Sequence, residues 1–219
     1  MPLLSRRLLA EFVGTSFLLA GVVGSGIMAE RLTDDVGLRL LANSAATVGV
    51  LYTVIVMFGP VSGAHFNPAV TIADVALTAR PPRDLAPYVA AQVAGGAVGV
   101  VLANVMFGLD AIDISGTVRN GSGQYVGEVV ATFGLVLLIF SLVRTGRDRL
   151  APGAVAAYIG AAYWFTSSTS FANPAVSVTR TLSDTFAGVR PVDVPILVVM
   201  QLIGTALAVG VVRVLHPGS

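Results

Sequence analysis

Cysteine is absent from the sequence, and so is lysine: all 13 basic residues are arginine. Without cysteine there is no disulfide framework and no thiol chemistry. Charge of either sign is scarce. Only 11% of the 219 residues are charged, where a typical soluble domain carries about a quarter. The net charge of +1 leaves no basic footprint for nucleic acid. No segment reads as a nucleotide-binding loop, a catalytic triad or a metal cluster, so an enzyme is not expected, and neither is a cofactor or a metal. What the chain has in excess is apolar residue: 55% is hydrophobic and the mean hydropathy is +0.83. Its solvent is lipid.

Arg6 and Arg7 before an apolar run give the N-terminus the look of a signal peptide. The run Leu8–Ala29 is long enough to span, lacks a clear cleavage site and holds Glu11, so it reads as a retained helix. Apolar segments at about 8–29, 38–58, 85–107, 124–144, 150–165 and 193–215 each approach the ~20 residues needed to cross a core of roughly 30 Å. The fifth is short and rich in Ala and Gly. With the N-terminus inside, eight arginines fall on the inner side and five on the outer. The bias puts both termini in the cytoplasm. Tyr88, Tyr125 and Trp164 lie near span ends and read as interface anchors.

Two segments are left over. Asn67–Thr78 follows "FGPVSGAHF" and Asn173–Asp184 follows "FTSSTSFA". Each is about 12 residues, roughly 18 Å as a helix, half of a membrane. Irregular backbone at that depth survives only where protein or a wet cavity receives it, so both read as re-entrant loops ending in half-helices. The surrounding sequence repeats as well. "AEFVGTSFLL" (10–19) matches "GEVVATFGLV" (127–136), pairing Glu11 with Glu128; "QVAGGA" (92–97) matches "QLIGTA" (201–206), pairing Gln92 with Gln201. Three spans and one half-helix per half force the halves to insert in opposite orientations. The expected fold is an all-α membrane protein with six transmembrane helices and two re-entrant half-helices. It is one channel domain over 1–219, with inverted repeats at about 1–108 and 120–219 and the site near the midplane.

The duplicated phrase has a physical reading. Asn67 and Asn173 are strong N-caps, Pro68 and Pro174 sit at the favoured first helical position, and Ala69 and Ala175 complete each motif. Each Asn oxygen accepts from its own half-helix, leaving its NH2 as a donor toward the cavity. Two half-helices meeting N-terminus to N-terminus bring roughly half a positive charge each to the middle. Backbone carbonyls near Ser62–His65 and Thr169–Ala172 supply acceptors. Such a path suits a neutral polar molecule and disfavours cations.

With "SGAHFNPAVT" (62–71) and a second "NPA" in a six-span chain, the sequence resembles the aquaporin and aquaglyceroporin family, the major intrinsic proteins, along essentially its whole length. The resemblance implies a homotetramer in the lipid bilayer with one pore per protomer, passing small neutral solutes and water. It implies that Glu11 and Glu128 hold the two loops by accepting from their backbone. The competing reading of a membrane-embedded glutamate is a proton relay. His65, two before the first Asn, reads as a loop-packing residue and a candidate pore-lining one, with no metal role.

The second motif departs from the family, which usually places arginine after Asn-Pro-Ala at the narrowest outer point; this chain has Val176. By the family's spacing the other filter positions are Thr47, Ala161 and Ser170. All four are small and neutral, which implies a wide, uncharged constriction passing glycerol, urea, water and the neutral trihydroxides of arsenic and antimony. "SSTSFANPAVSVTRTLSDTFAG" is similar to a bacterial subgroup associated with arsenic resistance, which implies a bacterial inner membrane. Val176, Arg180 and Asp184 are four apart on one helical face. Two readings stay open: Arg180 as an outer-vestibule charge tethered by Asp184, or the two as a pair at headgroup level. The alternatives to this channel are a water-selective aquaporin, an ion-coupled secondary transporter, which would want acidic midplane groups, and a non-conducting scaffold.

Overall fold

The computed structural model describes residues 2–217; positions 1, 218 and 219 of the expected single domain lie outside them. Among the described residues there are eight α-helices and no strand. They are α1 (Leu4–Leu32), α2 (Val36–Ser62), α3 (Pro68–Leu77), α4 (Leu85–Met106), α5 (Ser122–Arg144), α6 (Ala151–Phe165), α7 (Pro174–Thr179) and α8 (Val194–Leu215). Five of them (α1, α2, α4, α5 and α8) are long and apolar enough to cross a membrane. The sixth, α6, has 15 residues and gains a further turn from the 3-10 segment Asp148–Leu150.

The packing repeats. α1 lies against α2 and α4 as α5 lies against α6 and α8, and α3 meets α8 as α7 meets α4. Glycine permits the close crossings: a Cβ on Gly95 would sit 2.2 Å from the Phe12 carbonyl oxygen, and one on Gly204 would sit 2.5 Å from that of Val129. These two pairs occupy equivalent places in the two halves, and small residues bring membrane helices together in this way. Large apolar side chains such as Leu9, Phe17, Leu41 and Val126 face outward, while Glu11, Asn43, Gln92, Glu128 and Gln201 are buried. That is the reverse of a soluble fold. Arg7–Asp84 ties α1 to the segment before α4, and Arg213 Nη2 donating to the Ala76 carbonyl ties α8 to α3. The face these contacts share, carrying the start of α1 and the end of α8, is called the terminal face below.

The second half-helix is shorter than its spacing suggests. α7 ends at Thr179, and Arg180–Leu182 tightens into a 3-10 turn. The backbone then leaves the axis because Thr181 and Leu182 carbonyls accept from Ser115 and Asp113 amides in the loop between α4 and α5. Tyr88 is no interface anchor: it is fully buried, its hydroxyl donating to the Ser62 carbonyl at 2.9 Å.

Candidate pore

The half-helices start at asparagines in extended conformation. Asn67 Oδ1 accepts from the Ala69 amide at 2.9 Å; Asn173 Oδ1 accepts from Ala175 at 3.0 Å and Val176 at 3.2 Å. Each amide nitrogen then reaches across the molecule. Asn67 Nδ2 donates to the Ala172 carbonyl at 2.7 Å, and Asn173 Nδ2 donates to the Phe66 carbonyl at 2.8 Å. The expectation that both NH2 groups are left for the cavity is thereby corrected. One N–H of each is spent on the opposite loop, and only the second remains, since a carboxamide carries two. Both asparagines line the cavity.

The loops that deliver these caps are bent against preference. Among the described residues, every non-glycine with positive φ lies in them: Ala64, Phe66, Thr169, Ser170 and Ala172. Ala64 and Ser170 are each three before their Asn, and Phe66 and Ala172 one before. Left-handed backbone costs such residues about 1–3 kcal/mol each and persists only where surroundings fix it. The surroundings here are carboxylates. Glu11 accepts from Ser62 Oγ (2.6 Å), the amides of His65 (3.0 Å) and Phe66 (2.7 Å), and Gln92 Nε2 (2.8 Å). Glu128 accepts from the amides of Phe171 and Ala172, both at 2.9 Å, and from Gln201 Nε2 at 2.5 Å. Gln92 also reaches Thr71 on α3, and Gln201 reaches Ser177 on α7, at 3.0 and 2.8 Å. Neither glutamate lines the cavity; their oxygens are turned to loop donors, which is scaffold geometry rather than that of a relay.

The cavity has a volume of about 660 Å³ and runs from Arg149 and Pro152 at the terminal face, past Asn67 and Asn173, to Arg180. On the side away from the termini, Thr47, Ser170 and Val176 line it. Ala161 does not. It is exposed on the far side of α6, and Tyr163 takes the place expected for it. Successive helical residues turn by about 100°, so Ala161 lies some 200° from Tyr163. The lining face of α6 is Pro152, Val155, Ile159 and Tyr163, a spacing of three and four that was visible in the sequence. The lining residues at the expected filter are therefore Thr47, Ser170, Val176 and the aromatic Tyr163. The Tyr163 hydroxyl sits 3.1 Å from Thr47 Oγ1, and Ser170 Oγ is buried with no protein partner.

Arg180 and Asp184 separate. Asp184 accepts from Ser115 Oγ at 3.3 Å and the Gly116 amide at 2.9 Å, so it holds the α4–α5 loop and not Arg180. Arg180 is 3% exposed and lines the cavity. Its Nε donates to the Ala187 carbonyl, and its guanidinium carbon lies 3.8 Å from the centre of the Phe171 ring. At the terminal end Asp74 pairs with Arg80, and His65 Nε2 lies 3.4 Å from the same carboxylate. His65 Nδ1 is 3.0 Å from Thr71 Oγ1, and Arg80 stacks 4.7 Å from the Tyr88 ring. Arg80 and Tyr88 as parts of this cluster were missed; only the position of Asp74, seven after its Asn, signalled anything there. Among the described residues no group of His, Asp or Glu is placed to hold a metal ion.

Half-helices meeting end to end inside a helical membrane fold, around a cavity reaching toward both faces, define a membrane channel. The Major intrinsic protein family model matches residues 2–171, and the chain belongs to that family. It is 50% identical over 210 residues to Aquaglyceroporin AqpS of Rhizobium meliloti (strain 1021), spanning 96% of this chain and 90% of the relative. It is 35% identical over 119 residues to Aquaporin Z of Brucella melitensis biotype 1, spanning 54% and 52% of the two chains. A solved structure, the aquaglyceroporin from Plasmodium falciparum, superposes over 98% of both chains with a TM-score of 0.76 at 19% identity, a likeness of fold. The chain is a multi-pass membrane channel for small neutral solutes and not an enzyme.

Proposed function

We propose that the channel passes neutral solutes bulkier than water: glycerol and urea, and the trihydroxides of arsenic and antimony, with water alongside. It works passively in a bacterial inner membrane, both termini in the cytoplasm, as a homotetramer with one pore per protomer. The observation that carries this reading is Val176 lining the cavity with Thr47, Ser170 and Tyr163, an apolar side chain directly after the second Asn-Pro-Ala. Selectivity follows width, donors and local charge. Val176 offers an apolar wall, while the second N–H groups of Asn67 and Asn173 offer hydrogen bonds to a polyol. The similarity to an aquaglyceroporin along nearly the whole chain supports glycerol as the first solute to try.

The test is stopped-flow light scattering on liposomes carrying the purified protein, under inward gradients of water, glycerol, urea and arsenite at neutral pH. Wild type is expected to pass all four, and Val176→Arg mainly water. Passage of water alone by wild type would mean that Tyr163 and Thr47 close the path to polyols, and the water-selective reading would replace this one. Saturation at low solute, or dependence on an ion gradient, would favour a transporter.

A further inference from the structure

The two valines after the two Asn-Pro-Ala motifs, Val70 and Val176, make the motifs copies of each other. The positive charge that position 176 lacks is nonetheless carried by a residue rooted one helical turn further along, Arg180. The Arg180 amide donates to the Val176 carbonyl, which sets the two backbone positions about 6 Å apart along the axis. Arg180 is held from two sides, by the Ala187 carbonyl and the Phe171 ring. Among the described residues no carboxylate forms an ion pair with it. Its neighbour Arg119 does not line the cavity; it spends Nε and Nη2 on the carbonyls of Gly188 and Phe186. The other charged residues along the cavity, Asp74, Arg80, Asp148 and Arg149, all belong to the terminal end.

We infer that this channel has divided into two residues what one arginine does at a narrow filter: Val176 sets the width, and Arg180, one turn outward, supplies the positive potential that turns cations back. The division is physically cheap because the two effects have different reach. Steric exclusion acts only at contact, so a guanidinium drawn onto the Phe171 ring and the Ala187 carbonyl, and only 3% exposed, obstructs little. Electrostatic repulsion falls only as the reciprocal of distance, and low-dielectric walls sustain it. An arginine rooted one turn outward and held aside in this way therefore widens the pore while keeping most of its barrier to ions. The inference rests on the reading of the chain as an open solute channel.

The experiment measures glycerol entry and potassium and proton leak in the same liposomes. Arg180→Gln is expected to leave glycerol entry within about twofold of wild type and to raise cation leak on the order of tenfold to a hundredfold. Arg180→Lys, which keeps charge but not the planar stack, should stay near wild type. The double variant Val176→Arg/Arg180→Gln should regain ion tightness while losing glycerol entry. A purely structural role for Arg180 would lower glycerol entry and protein yield in Gln and Lys variants alike, without rescue. Should Arg180→Gln not assemble, Arg180→Met decides: it keeps an apolar stem against Phe171 and removes the charge, and leak should rise. An ion-tight Arg180→Gln or Arg180→Met channel that still passes glycerol overturns the inference alone. Absence of glycerol entry in wild type overturns the channel reading beneath it, and this one with it.

Discussion

The two halves of the molecule share a backbone and oppose each other in charge. Seven residues after each asparagine stands an ionisable group, Asp74 in the first half and Arg180 in the second. Two residues before each asparagine stands a ring, His65 and Phe171. Asp74 is answered by Arg80 and His65, whereas Arg180 has only the face of Phe171 and a carbonyl. The scaffold positions, by contrast, match side chain for side chain: Glu11 with Glu128, Gln92 with Gln201, Thr71 with Ser177. Duplication has kept what bends the loops and diverged at what faces the mouths. In this fold the supporting groups and the selecting groups are separable.

The largest effect should come from the part that is alike. Glu11→Ala and Glu128→Ala each strand several buried donors, at about 1–3 kcal/mol apiece. Both should lower the melting temperature in detergent steeply and abolish solute entry; if only one does, the two carboxylates are not equivalent. Next come Gly95→Ala and Gly204→Ala. The added methyl meets a carbonyl oxygen at 2.2 Å and 2.5 Å respectively, so helices must separate, at about 1–3 kcal/mol. Gly95→Ala should be the more damaging by thermal melting.

The unlike positions give smaller and more selective effects. Asp74→Asn removes the counter-ion of Arg80 and makes the terminal mouth resemble the opposite one. A stability loss of about 1–3 kcal/mol is expected, and Asp74→Asn/Arg80→Gln should recover part of it in the same melting assay. Equal losses in single and double variants would show that the pair does not couple. The smallest change is Tyr163→Phe, which deletes the hydroxyl beside Thr47. It should cost about 1 kcal/mol or less and alter glycerol entry only slightly, whereas Tyr163→Ala should admit bulkier polyols in the same light-scattering measurement.

What was legible in the sequence was what is local or duplicated. Asn before Pro after small residues announces a capped helix, and both α3 and α7 start there. The six apolar runs and their repeat gave the inverted architecture. What failed was extrapolation along a helix. Counting a fixed interval back from Asn173 gave Ala161, but which face of α6 meets the cavity is set by packing against α2 and α5, and that face carries Tyr163. Extending α7 by another turn gives an Arg180–Asp184 pair, but the helix ends at Thr179 and the α4–α5 loop claims the Thr181 and Leu182 carbonyls of the 3-10 turn that follows. Tyr88 and Arg80 were missed because their partners, Ser62 and Asp74, come from other elements. No sequence rule foretold the exchange of hydrogen bonds between the two asparagine loops.

That exchange has a consequence for how the protein is made. Asn67 finds its acceptor 105 residues later in the chain, at Ala172. At roughly 5–20 residues per second of synthesis, the first re-entrant loop waits about 5–20 s in the nascent chain before its other half exists. The cap of α3 needs only residues already made, but during that interval the Phe66 carbonyl and the Asn67 amide have no partner across the midplane. The first half is thus an unfinished insertion intermediate that must be shielded by water or by the insertion machinery, and the arrival of the second loop is the step that seals it.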